Sequence, residues 1–131
     1  MNNTCRIVLD TNVLVSALLS PEGNPAKIYK MFLTRALSLV YSADIFEEYQ
    51  DVLYRPRLRI PANDAEIVLA AIRQYGEMVT PAPSKIDMTD EDDRVFYDAA
   101  KSVATYLISG NKKHYPDEPF ILTPTEFLEL Q

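Results

Sequence analysis

The sequence predicts an α/β fold, a three-layer α/β/α sandwich around a central, mainly parallel sheet of four to five strands. Three observations predict it. Short continuous apolar runs at residues 7–9, 37–41, 105–108 and 119–122 suit strands buried on both faces, as parallel sheets require. Stretches with apolar residues at helical spacing lie between them. Strand and helix signals alternate along the whole chain with no internal repeat, linker or low-complexity segment, so residues 1–131 read as one domain.

Composition narrows the class. Apolar residues make up 47% and charged residues 24%, ordinary for a globular protein with a normal core. No run approaches the roughly 20 apolar residues a membrane span needs, and no signal-peptide pattern opens the chain, so a cytoplasmic location without membrane contact is expected. A single cysteine, Cys5, forms no internal disulfide and reads as a small core residue. One cysteine and one histidine cannot build a Cys/His zinc site. A net charge of −6 argues against nucleic-acid binding by bulk charge. Carboxylates holding a divalent cation would still attract phosphate.

The first strand runs into Asp10. That places an acid at a strand's carboxyl end, where open α/β sheets form their ligand crevice, although an Asp here would also serve as a helix cap. Val13, Leu14, Ala17 and Leu18 form the stripe of the first helix. Asn24 reads as the cap of a second helix with Pro25 at its first position, and Ile28, Met31 and Phe32 as its apolar face. The second strand, Leu37 to Tyr41, closes at Ser42.

A third helix is expected from about Asp44 to Tyr54, buried through Ile45, Tyr49, Val52 and Leu53. Steps of 100° put Glu48 beside Ile45 and Val52, whereas Glu47 points away. An acid on an apolar face needs a partner or a metal. Arg55, Arg57 and Arg59 make a basic loop broken by Pro56 and Pro61, either solvated surface or a place to hold phosphates. The next helix, capped by Asn63 or Asp64, packs Ile67, Val68, Ala71 and Ile72 and stops at Gly76. A short edge strand over 77–80 precedes a Pro81-Ala82-Pro83 loop.

Residues 87–93 carry five acids in seven positions, and Val95, Phe96, Ala99, Ala100 and Val103 then resume helical spacing. A capping box of Thr89 with Asp92 and favourable helix-dipole contacts account for two or three of those acids. Asp92 and Asp93 both extend the buried stripe backward, so periodicity does not choose between them. The strand at 105–108 leads into Ser109-Gly110-Asn111-Lys112-Lys113-His114, with an amide rather than an acid after the glycine. Thr123, Pro124 and Glu126 then form a capping box for a last helix.

Asp10, Glu48 and Asp93 or Asp92 thus arrive at one rim of the sheet. Carboxylates converging without Lys or Arg between them repel unless a cation bridges them. Hard oxygen donors select Mg²⁺ or Mn²⁺, and such a site suits phosphodiester chemistry. Three glycines cannot build a phosphate-cradling loop, and no G-x-S-x-G elbow supports a serine nucleophile.

The segments LDTNVLVSALL, YSADIFEEYQDVL, DEDDRVFYDAA, YLISGNKKHYP and FILTPTEFL, in this order and spacing, resemble a PIN domain, and most closely the branch described as toxin components of prokaryotic toxin–antitoxin pairs. The resemblance implies a PIN-like α/β/α fold and a Mg²⁺- or Mn²⁺-dependent endoribonuclease acting on single-stranded RNA. It also implies a dimer held inactive by an antitoxin protein. Residue by residue, it implies Asp10, Glu48 and Asp93 as catalytic metal ligands, with Asn111 where many relatives carry a fourth acid. Thr11, Asn12, Ser42 and Asp92 match supporting polar positions, and Lys112, Lys113 and His114 lie where substrate would be held. The amide at Asn111 weakens the case for two metals and leaves two other readings: a weakly active RNA- or protein-binding PIN-like domain, and a phosphatase resembling the haloacid dehalogenases. The latter family needs an acid at the position of Asn12 and a cap domain.

Overall fold

The computed structural model describes residues 5–103 and 105–131. Its strands are β1 (Cys5–Leu9), β2 (Leu37–Tyr41), β3 (Glu77–Met78), β4 (Tyr106–Ile108) and β5 (Ile121–Leu122). They form one sheet in the order β3-β2-β1-β4-β5, every neighbouring pair parallel. The helices are α1 (Thr11–Leu19), α2 (Asn24–Leu33), α3 (Ala43–Leu53), α4 (Ala62–Tyr75), α5 (Arg94–Ser102) and α6 (Pro124–Glu129). They flank the sheet in a three-layer α/β/α arrangement, as the alternation of signals predicts.

β1 is the central strand and its Ile7, Val8 and Leu9 have no solvent contact. The chain lays β2 and β3 on one side of it, then crosses to place β4 and β5 on the other. The direction of winding therefore reverses between β1 and β4, and crevices open at such a point beyond the strands' carboxyl ends. Helix α5 packs directly on β1, β2 and β4 through Phe96, Tyr97, Ala99 and Ala100, all buried. Tyr49 of α3 is fully buried, and its hydroxyl donates to the carbonyl of Leu9 at 2.5 Å. That bond pins α3 to the end of β1, one residue before Asp10.

Four local expectations need correction. Asn24 lies inside α2 after a Gly23 cap, and its amide donates to Thr125 Oγ1 instead of to its own helix. Helix α4 begins at Ala62 after Pro61, ahead of Asn63 and Asp64, and buries Ala65, Val68, Leu69 and Ile72. Ile67 is 59% exposed, because the helix is rotated so that Leu69 takes the inward position beside Val68. At the acid run, Asp90 rather than Thr89 is the cap, its carboxylate accepting from the Asp92 N–H at 3.0 Å. The capping box at α6 is present as expected, with Thr123 and Glu126 bonded reciprocally.

Gly76 shows how closely the chain is packed where α4 returns to the sheet. A Cβ there would stand 2.5 Å from the Ile72 carbonyl oxygen and 3.0 Å from that of Leu39. Neither backbone group can turn aside. Gly76→Ala should therefore cost about 1–3 kcal/mol and lower the melting temperature by several degrees in a thermal unfolding scan.

Candidate functional site

Asp10 follows the last residue of β1 and caps α1, so the cap reading and the rim reading describe one residue. It is only 5% exposed, and a buried carboxylate must be answered by donors. Its Oδ2 accepts from Ser109 Oγ at 2.9 Å and from the Tyr115 hydroxyl at 3.0 Å. Both donors belong to the connection after β4. Its Oδ1 receives only the long contact from the Asn12 N–H, 3.5 Å, and is the oxygen left for the rim. Ser109 is itself oriented, its Oγ accepting from the Asn111 N–H at 3.0 Å. Burial and the neighbouring acids push the Tyr115 hydroxyl far above its ordinary range, so it remains a donor.

Glu48 comes from the middle of α3 and is half-buried, facing the rim. Its Oε2 accepts from Thr11 Oγ1 at 2.5 Å. Burial raises its proton affinity most, the Thr11 bond lowers it, and the charges of Asp10 and Asp92 raise it again. Asp93 closes the short 3₁₀ turn Glu91–Asp93 that leads into α5, and its side chain is 17% exposed. Burial, followed by Asp10 and Asp90, pushes its carboxyl up to about 6, against a lowering from His114. His114 Nδ1 stands 3.7 Å from Asp93 Oδ2. Asp92 is exposed and acts on Glu48 only through its charge. The tertiary environment thus separates two acids that periodicity leaves equal.

The other sequence candidates divide. Thr11 and Asn111 are tied into the rim by the bonds just described. Asn12 is exposed and contributes its backbone N–H. Ser42 is buried as the cap of α3, its Oγ accepting from the Ile45 N–H at 3.2 Å. Lys112 is held by Glu126 at 2.9 Å, while Lys113 is exposed. A wide cleft of about 840 Å³ opens beside Glu48 and is lined by Glu47, Asp51, Tyr54 and Arg55. Sequence reasoning missed Ser109 and Tyr115. Only a donor inventory for a buried Asp10 would have pointed toward them.

Among the described residues, no three His, Cys, Asp or Glu side chains are gathered closely enough to hold an ion as they stand. This differs from the expectation that the carboxylates already converge on one ion. Burial raises the proton affinity of Glu48 and of Asp93 most, and the charge of Asp10 raises both further.

The model of the PIN domain matches residues 6–113. The chain belongs to the PIN domain family. An uncharacterized protein of Methanocaldococcus jannaschii is 30% identical over 110 residues, covering 82% of this chain and 71% of that protein. The fold is also similar to a chain in the crystal structure of VapBC2 from Rickettsia felis bound to a DNA fragment from their promoter. The TM-score there is 0.58 at 14% identity, covering 89% of this chain and 96% of that one. PIN domains are generally nucleases and typically depend on divalent metal. Within this PIN domain no described helix is long and apolar enough to cross a membrane.

Two outcomes follow from the rim's geometry. Tyr115→Phe removes one of the two strong donors to Asp10, and loss of a hydrogen bond to a charged group should cost about 1.5–3 kcal/mol in chemical denaturation. Asp93 has its folded-state proton affinity raised above the ordinary value of 3.8, so the folded state binds the extra proton between about 4 and 6. Stability contributed by this group is present below about pH 4 and is lost as pH rises through about 6. With chelator present, Asp93→Asn should therefore melt higher than the parent at pH 7. The difference should shrink as the pH is taken down to 4 in parallel melts.

Proposed function

We propose that this PIN domain is a Mg²⁺- or Mn²⁺-dependent endoribonuclease that cleaves single-stranded RNA. We further propose that it is the cytoplasmic toxin of a toxin–antitoxin pair, working as a dimer. One observation carries the reading: Asp10, Glu48 and Asp93 face one rim at the sheet's switch point, where the charge of one raises the proton affinity of the others. Such a rim gains by exchanging protons for a divalent cation. The donor chemistry fits Mg²⁺ or Mn²⁺, since all three side chains offer hard oxygen and no thiol or imidazole is central to the set.

Asp10, Glu48 and Asp93 would hold the cation, with the amide oxygen of Asn111 as a neutral fourth donor. Drawing Glu48 and Asp93 inward would be part of loading the site. When bound, the cation supplies neutralisation of phosphodiester charge and a lowered pKa for the attacking water. The chain's own residues do the rest. Ser109 and Tyr115 hold Asp10 Oδ2 and so turn Oδ1 toward the rim. Thr11 holds one oxygen of Glu48 and leaves the other free. Asp93, whose carboxyl is pushed up to about 6 when no cation faces it, would give up that proton on becoming a ligand. Arg55 lines the cleft beside Glu48, and with Lys113 it offers positions for substrate phosphates on either side of the scissile bond. The likeness of fold to VapBC2 and the toxin-like sequence motifs support the antitoxin partner.

A second reading, a weakly active PIN domain that binds RNA or protein, is favoured by Asn111 and by the spread of the carboxylates. The decisive experiment follows cleavage of a labelled single-stranded RNA with Mn²⁺, with chelator, and against duplex RNA and an aryl phosphate. Cleavage of the single strand alone, abolished by chelator and reduced about 100-fold or more in Asp10→Asn, is expected, since metal catalysis is worth several kcal/mol. Undiminished cleavage by Asp10→Asn refutes the assignment. Tight RNA or partner binding without turnover selects the second reading.

A further inference from the structure

The turn after β4 brings the only histidine of the sequence to the rim. His114 ends the 3₁₀ turn Lys112–His114, and its N–H donates to the Asn111 carbonyl at 3.0 Å. The next residue, Tyr115, has its hydroxyl on Asp10 Oδ2. The backbone of His114 is thereby held between the rim's neutral amide and the clamp on Asp10. Its ring is 44% exposed, so apolar burial does not account for where it lies. What the ring approaches is Asp93, with Nδ1 standing 3.7 Å from Asp93 Oδ2.

That separation is too long for a hydrogen bond, which needs about 2.7–3.2 Å. It is close to the separation of two donors on one cation. Bonds near 2.1 Å that meet at tetrahedral or octahedral angles set two donor atoms roughly 3.0–3.4 Å apart. A small movement of an exposed ring on a short turn closes the difference. Among the described residues no hydrogen bond reaches the Asp93 carboxylate, so its lone pairs are open to a cation. Mg²⁺ is bound through oxygen, whereas an imidazole nitrogen adds affinity for the divalent first-row transition ions, the series that begins with Mn²⁺. Asn111 acts in the same direction. A neutral amide takes one charge out of the oxygen set that would hold Mg²⁺, and the ring three residues on supplies a nitrogen in compensation.

We propose, resting on the metal-dependent reading of the rim, that His114 Nδ1 is a further ligand of its cation beside Asp93, and that this nitrogen makes the site select Mn²⁺ over Mg²⁺. The ring ligates in its neutral form, with the proton on Nε2. His114 then serves the cation rather than the substrate, and stands at the edge of the oxygen set formed by Asp10, Glu48 and Asp93.

The test is Mn²⁺ binding to the full chain, prepared without a histidine tag, read by electron paramagnetic resonance and by competition with Mg²⁺. Pulsed spectra of the bound ion should show coupling to an imidazole nitrogen, which in this sequence only His114 can supply. His114→Gln should remove that coupling and weaken Mn²⁺ binding at least about tenfold, while Mg²⁺ affinity changes by less than about twofold. The spectra of the unaltered chain are decisive even where the variant does not fold. Bound Mn²⁺ without nitrogen coupling, or equal loss of both cations in His114→Gln, overturns the proposal. The metal reading itself survives that result if Asp10→Asn abolishes Mn²⁺ binding. Absence of Mn²⁺ binding by the unaltered chain overturns both. Weaker RNA binding in His114→Gln with an unchanged Mn²⁺ spectrum assigns the ring to the substrate and also overturns the proposal.

Discussion

The burial of one carboxylate, Asp10, is the constraint on which the rest of the site depends. It stands at the end of the central strand, where apolar packing on both faces leaves almost no water to solvate it. The donors that answer it, Ser109 and Tyr115, lie 99 and 105 residues further along the chain. They reach it only because β4 pairs with β1 in parallel register, Leu9 opposite Ile108. Strand register, the turn after β4 and the orientation of a single carboxylate are therefore one problem with one solution. The Tyr49 hydroxyl on the Leu9 carbonyl ties α3, and with it Glu48, into the same arrangement.

Electrostatics then works against the fold at this rim. Burying Asp93 costs stability, the charges of Asp10 and Asp90 add to that cost, and the rise of its carboxyl to about 6 records it. Function commonly resides where such local penalties are tolerated because the surrounding packing over-determines the structure. The large apolar interface of α5 with β1, β2 and β4 supplies that packing here. Asp98 is a contrasting case on the same helix. Asp10 is buried and answered from within the chain; Asp98 is buried, and the Arg94 guanidinium one turn earlier is occupied elsewhere.

Much of the fold was legible because its signals are local. Strands buried on both faces read as short apolar runs, helices as stripes with a period of 3.6, and the α6 capping box as three residues at fixed spacing. Where those signals misled, a distant neighbour had intervened. Ile67 reads as core by spacing, but the rotation of α4 against β2 gave its place to Leu69. Asn24 reads as a cap, but its amide found Thr125 at the other end of the chain.

The sequence by itself determined the α/β class, the order of elements and the approach of Asp10 and Glu48 to the rim, since each follows from periodicity or from position at a strand's end. Only the tertiary structure sets Asp92 and Asp93 apart. The two differ in burial and in what they face, and neither property is encoded in spacing. The same holds for Tyr115 and Ser109, whose role is set by pairing across about a hundred residues, and for Asp98, whose missing donor is a property of what surrounds it.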